Sequence, residues 1–140
     1  MNAVFWKYHS FGNDYLVYDT GRNDVMLDEK AARAVCARNF GLGAAGILAG
    51  TAVDETHVEM KWFAPDGKLL EADADECSIF SSYLKDAGYP DGLEWMLSGQ
   101  GGKCPEKRMH PEDYPEAEQV GKLYLTEEFI EKNHLHRICP

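Results

Sequence analysis

Residues 57–88, HVEMKWFAPDGKLLEADADECSIFSSYLKDAG, decide the fold. At the start of this stretch Val58, Met60 and Trp62 alternate with His57, Glu59 and Lys61, the two-residue period of a strand with one buried face. Pro65-Asp66-Gly67 is turn chemistry, and Lys68–Glu71 can run back beside the strand, so a hairpin closes here. The period then changes. Between Ala72 and Gly88 the residues Cys77, Phe80, Tyr83 and Leu84 recur on one face of a helix, and Gly88 supplies its stop.

Outward from this core the chain keeps alternating between strand and helix signals. Residues 3–8 (AVFWKY) and 15–19 (YLVYD) are short β-prone runs on either side of His9-Ser10-Phe11-Gly12-Asn13-Asp14, a turn-forming cluster. Asp28 precedes EKAARAVCARN, where acids in the first turn and Arg38 near the end suit the helix dipole. Gly41 ends that helix, the glycine-rich GLGAAG of 41–46 follows, and ILA forms a short strand. Downstream, Leu93–Leu97 reads as a strand, Ser98–Gly102 as a glycine-rich turn and 103–119 as a polar loop or partner-dependent segment. A strand at Lys122–Leu125 and a helix capped by Thr126 ahead of Glu127 and Glu128 close the chain. The order β-β-α-β-β-β-α-β-β-α predicts a single α+β domain over 1–140 with mostly antiparallel strands.

The 140 residues are 44% hydrophobic, 11% aromatic and 27% charged, the composition of an ordinary globular domain. Fourteen Lys plus Arg against 24 Asp plus Glu give a net charge of −10. Nucleic-acid affinity comes from neutralised phosphates, so an acidic chain with scattered basic residues excludes nucleic acid and an anionic membrane surface as partners. No apolar run approaches a membrane span, and the N-terminus lacks the pattern of an export signal, so a cytoplasmic location is expected. The cysteines, Cys36, Cys77, Cys104 and Cys139, form no C-x-x-C pair and are expected to be reduced.

Four segments together resemble the N-terminal half of diaminopimelate epimerase, a cofactor-independent racemase family. Phe5-x-Lys7-x-His9-x-Phe11-Gly12-Asn13-Asp14-Tyr15 is similar to that family's opening motif. Cys36-x-Arg38-Asn39-Phe40-Gly41-Leu42-Gly43-Ala44-x-Gly46 is similar to its second motif. Met60-Lys61-Trp62-Phe63-Ala64-Pro65-Asp66-Gly67 is similar to its third, and Phe80-x-x-Tyr83-Leu84-x-x-x-Gly88 resembles the helix after its catalytic loop. The match is close over 4–89, and 90–140 diverge. The resemblance implies strands packed around a central helix, with ligand carboxylates at helix N-termini. It also implies two such domains facing each other across a cleft, each contributing one cysteine that acts on the substrate α-carbon. The chain has one domain's worth of residues, so a second copy or a second epimerase-like domain must supply the other wall.

The departures from the family pattern bear on function. Counted back from Phe80 and Tyr83, the catalytic cysteine position falls on Asp73, and two residues of the anion-binding turn fall on Asp75 and Glu76. Ala64 and Ala45 replace two further polar residues, whereas Asn13 is kept. A thiol with a pKa near 8.5 is readily tuned to exchange a proton with carbon, whereas an unperturbed carboxylate near 4 is a far weaker base. Close carboxylates also repel a substrate carboxylate by ~1–4 kcal/mol per pair at effective dielectrics of 80 to 20. Diaminopimelate epimerisation itself is therefore not expected.

Three readings of the acids stay open. Asp73 or Asp75 caps the helix and its neighbours add favourable dipole charge; or Asp73 is a general acid/base or counter-ion in a re-purposed cleft; or the acids bind a metal, for which three acids alone are a weak ligand set. His9, beside the GND turn, either joins Asp73 in proton transfer or is a hydrogen-bonded structural residue. His134-x-His136-x-x-Cys139, with Cys104 and His110, holds zinc-ligand types at a spacing that matches no strong finger pattern. The GLGAAG glycines follow a helix, contrary to the dinucleotide-binding requirement, and read as a tight turn. Trp6, Trp62 and Trp95 read as core residues or as an aromatic wall.

The sequence thus supports a cofactor-independent isomerase-fold protein without a resident metal. Asp73 and His9 are its proton-transfer candidates, and Asn13, Asp75 and Glu76 its candidate contacts to a neutral or cationic small molecule. The competing function is that of a catalytically degenerate half that binds or regulates a partner. An isolated half exposes apolar surface that the missing domain would cover, so a homodimer is expected. Sedimentation at micromolar concentration should show a species heavier than the 15.7 kDa chain; a single species at that mass would contradict the expectation.

Overall fold

The computed structural model describes residues 3–10, 12–39, 44–52, 57–72, 74–89, 94–96 and 117–136. In chain order the elements are β1 (Val4–Ser10), β2 (Asn13–Asp19), α1 (Glu29–Asn39), β3 (Ala44–Ala52), β4 (His57–Phe63), β5 (Leu69–Leu70), α2 (Ala74–Asp86), β6 (Glu94–Met96), β7 (Glu118–Tyr124) and α3 (Glu127–Lys132). The strands form one mixed sheet in the order β5-β4-β3-β2-β1-β7, with β6 also paired to β4. The β2/β3 and β4/β6 pairs are parallel and the other pairs are antiparallel. The α+β class, the element order and the mostly antiparallel sheet expected from the sequence are all present.

Alternating side chains divide the sheet into two apolar faces. On one, Tyr8, Tyr15, Val17, Leu48, Val58 and Met60 pack against Cys77, Phe80, Tyr83 and Leu84 of α2, the face read from the periodicity. On the other, Phe5, Leu16, Tyr18, Ile47 and Phe63 meet Ala32, Val35 and Cys36 of α1 and Phe129 and Ile130 of α3. Among the described residues α2 is the helix that packs on one face, and α1 and α3 share the other. Local signals set the helix ends. The Asp28 carboxylate accepts from the Ala31 N–H at 2.8 Å, and Thr126 Oγ1 accepts from the Phe129 N–H at 3.1 Å. At the end of α2, Gly88 adopts φ +86° and the Tyr89 N–H reaches back to the Leu84 carbonyl at 2.9 Å, a Schellman closure.

The structure moves several boundaries. The hairpin between β1 and β2 stays paired to Ser10↔Asn13, so His9 and Asp14 are strand partners instead of turn residues. Strand β7 begins at Glu118, earlier than the expected Lys122, because β1 offers it partners from Val4 to His9. Such pairing is long-range and leaves no local trace. The remainder of the expected 103–119 loop and the Ser98–Gly102 turn lie outside the described residues. One expectation is overturned: Cys77 is disulfide-bonded, with its partner outside the described residues. Pairing depends on which sulfurs the fold brings together, which spacing does not encode. Cys36 is free and buried, as expected.

Glycine is required where β3 meets β4. Gly46 has φ +127°, and a Cβ there would collide with the Phe63 carbonyl. Gly46→Ala should lower stability by about 1–3 kcal/mol. Gly121→Ala, where nothing lies within 4 Å, should stay within about 0.5 kcal/mol. Urea midpoints of the two variants measure the difference, and equal midpoints would contradict it.

Candidate functional site

The motif segments singled out in the sequence converge on one end of the sheet. Asp14 pairs with Ala44 and Ile47 pairs with Phe63, which sets the start of β2, the start of β3 and the end of β4 side by side. The Trp62 indole N–H donates to the Ala45 carbonyl at 3.0 Å, and the Trp62 ring lies 6.1 Å from that of Tyr15. The first turn of α2 covers this end. There the Tyr15 hydroxyl donates to the Glu76 carboxylate at 2.8 Å.

Glu76 is 4% exposed, so its carboxylate points inward, and a tyrosine hydroxyl satisfies part of its hydrogen-bonding capacity. Asn13 stands exposed at the hairpin end of β2. His9 is half-exposed, and its Nδ1 lies 2.7 Å from Asp14 Oδ1. Lys7 Nζ is 3.6 Å from the other oxygen of Asp14. A carboxylate accepts from Nδ1–H, and in the neutral ring with that tautomer Nε2 is the acceptor. Asp73 and the side chain of Asp75 lie outside the described residues. The hairpin register thus brings His9 to Asp14, while Tyr15, the next residue along β2, turns to the opposite face and meets Glu76.

Sequence reasoning missed Asp14 and Lys7 as site residues. The signal was present: Lys7 and His9 share one face of β1, and a tight GND turn sets Asp14 opposite His9. It missed a second polar centre as well. Asp19 ends β2 and is 1% exposed. It accepts from the hydroxyls of Tyr83 at 2.5 Å and Tyr89 at 2.6 Å, and from the Gly21 N–H at 2.9 Å. Arg22 Nε approaches it at 3.8 Å. Burial, and then the Asp19 carboxylate, push the Tyr83 and Tyr89 phenols above their ordinary range, so both remain donors. Among the described residues no group of three His, Cys, Asp or Glu side chains could hold a metal. Cys104, His110 and Cys139 lie outside that set.

No protein-family profile matches the chain. Similar proteins are nevertheless found by direct comparison. Diaminopimelate epimerase 2 of Nostoc sp. is 37% identical over 99 residues, 70% of this chain and 35% of that protein. The diaminopimelate epimerase of Archaeoglobus fulgidus is 33% identical over 64% of this chain and 33% of its own length. That of Methanocella arvoryzae is 38% identical over 61% and 31%. The chain is similar to the diaminopimelate epimerases. Its match spans about a third of the length of these relatives. A phenazine biosynthesis protein of the PhzF family from Enterococcus faecalis superposes with a TM-score of 0.52 at 14% identity, covering 73% of this chain and 38% of that one. This likeness concerns the fold. No helix among the described residues of the epimerase-like domain is long and apolar enough to cross a membrane.

The buried acids make the domain sensitive to alkali. Burial raises the phenols of Tyr8, Tyr18 and Tyr83, and pushes the Cys36 thiol up to about 11. A group whose folded pKa exceeds its unfolded value binds its proton more tightly when folded. Its stabilisation is whole below the unfolded pKa and is lost as pH rises through the folded one. Stability should therefore hold to about pH 9, then fall, first through Cys36 and more steeply above about pH 10 through the phenols. Each such group adds about 1.4 kcal/mol per pH unit. Denaturant midpoints between pH 8 and 11 measure this, and a flat profile would refute it.

Proposed function

We propose that the epimerase-like domain carries out a cofactor-independent acid/base isomerisation or cyclisation of a neutral or cationic small molecule, and does not epimerise diaminopimelate. The observation that carries this reading is the Glu76 carboxylate, buried under the first turn of α2 and held by Tyr15 at 2.8 Å. Negative charge in that position repels a substrate carboxylate and attracts a cation. Asp73 and His9 are the proton-transfer candidates of this reading, with His9 on the sheet face opposite the one where Tyr15 meets Glu76. Asp14 holds Nδ1 of the His9 ring, which leaves Nε2 for proton exchange. Asn13, Asp75 and Glu76 select the ligand. A second copy of the chain supplies the opposite wall; exposed Val120 and Tyr124 on edge strand β7, and Leu70 on β5, support such a homodimer. The cytoplasm remains its expected location.

The same Glu76–Tyr15 contact favours a second reading, in which the acids are satisfied by the fold and the domain is a degenerate half that binds or regulates a partner. Hydrogen–deuterium exchange at the α-carbon distinguishes the two. In D2O, a panel of α-amino amides, whose carboxyl charge is removed, should exchange in the presence of the protein, and diaminopimelate should not. Asp73→Asn and His9→Gln should each slow that exchange by about 100-fold or more with the fold intact by circular dichroism. Exchange of diaminopimelate that survives Asp73→Asn would overturn the acid/base reading. Variants indistinguishable from the parent across the panel would favour the degenerate one.

A further inference from the structure

The opposite end of α2 carries a separate cavity. It has a volume of about 540 Å³ and is lined by Val4 and Trp6 of β1, Arg22, Tyr83 and Asp86 of α2, and Gln119 of β7, among others. Its polar wall is a hydrogen-bonded chain. Gln119 Nε2 donates to the Tyr8 hydroxyl at 3.1 Å, and that hydroxyl donates to Asp86 Oδ2 at 2.7 Å. The direction of the chain is fixed by proton count. A tyrosine hydroxyl has one proton; once it is given to Asp86, the hydroxyl can only accept from Gln119, so the amide nitrogen faces Tyr8 and Oε1 faces away. Two acceptors, Asp86 Oδ1 and Gln119 Oε1, are thereby left without a hydrogen-bond partner among the described residues, both on cavity-lining side chains.

The charge balance of the cavity favours a cation. The guanidinium of Arg22 is already engaged. Its Nη1 donates to the Ala87 carbonyl at 3.1 Å, its Nε lies 3.8 Å from Asp19, and its carbon sits 4.3 Å from the Tyr89 ring centroid. The buried Asp19 offsets its charge, which leaves Asp86 without an ion pair among the described residues. The helix dipole adds to this, because the C-terminal end of α2 is the end that favours positive charge. Lys122 remains over the rings of Trp6 and Tyr124, at 5.2 and 5.4 Å, and does not line the cavity. Trp6, Val4 and Ala87 supply apolar wall for a hydrocarbon group.

We propose that this cavity is a second binding site, distinct from the motif-lined end of the sheet, and that it takes a small primary amine whose ammonium bridges Asp86 Oδ1 and Gln119 Oε1 while its alkyl part lies along Trp6 and Val4. An ammonium brings three donors and no acceptor, which suits two open acceptors on a pre-set wall.

The test is titration of n-pentylamine into the isotopically labelled full chain, followed by nuclear magnetic resonance at the Gln119 amide, the Trp6 indole and the Arg22 Nε–H. Saturable shifts at these groups are expected, with none from pentan-1-ol, which has the same chain without the charge. Asp86→Asn should weaken binding about ten-fold or more, the loss expected for one charged hydrogen bond. Gln119→Lys, at an exposed position of β7, keeps Asp86 and should block the site with an ammonium of its own. Equal binding of pentan-1-ol would reduce the cavity to an apolar hole. Preferential binding of pentanoate would assign it to Arg22 and an anion. Either result, or an absence of saturable amine shifts in the parent chain, overturns the proposal.

Discussion

Helix α2 is fastened to the sheet by a carboxylate that water scarcely reaches. An isolated charge in an apolar interior costs several kcal/mol, so Asp19 at the end of β2 is compatible with the fold only because its oxygens are supplied with donors. Tyr83 comes from the last turns of α2, Tyr89 from just beyond its glycine stop, Gly21 from the turn after β2 and Arg22 from the same turn. Removing any one of these leaves buried charge under-satisfied. The constraint is therefore geometric as well as energetic: α2 lies across the sheet at the one setting that brings both hydroxyls to Asp19.

With its C-terminal end fastened there, the first turn of α2 lies over the convergence of β2, β3 and β4. The two ends of the helix then have different chemistry. At the N-terminal end, where free N–H groups favour anions, the sequence has placed acids, and one of them is turned inward against Tyr15. At the C-terminal end a hydrogen-bonded chain through Tyr8 leaves acceptors facing a cavity. Both ends therefore present negative charge, in keeping with the acidity of the whole chain.

Much of the architecture was legible because the elements satisfy local rules. Asp28 and Thr126 cap the helices they precede, Gly88 ends α2, and the alternation through 57–63 sorts Val58 and Met60 onto the α2 face. The candidate site was legible in part. The described residues of the motif segments do meet at one end of the sheet, and Glu76 lies there, but the coupling of His9 to Asp14 depends on a hairpin register that the turn-forming composition of residues 9–14 concealed. The disulfide of Cys77 was hidden for a similar reason: sulfur pairing records proximity, not spacing.

By itself the sequence determined the class of fold, the order of its elements and the apolar face of α2. These follow from periodicity, capping and residue chemistry, all of which act over a few residues. Tertiary structure alone decided that Glu76 turns inward, that Asp19 draws two tyrosines from one helix and its cap, and that Tyr8, Asp86 and Gln119 form one wall. Those contacts join residues 61, 64, 70, 78 and 111 positions apart. At such separations a buried polar group is satisfied by whatever strand pairing and helix packing deliver to it, and no local pattern carries that information.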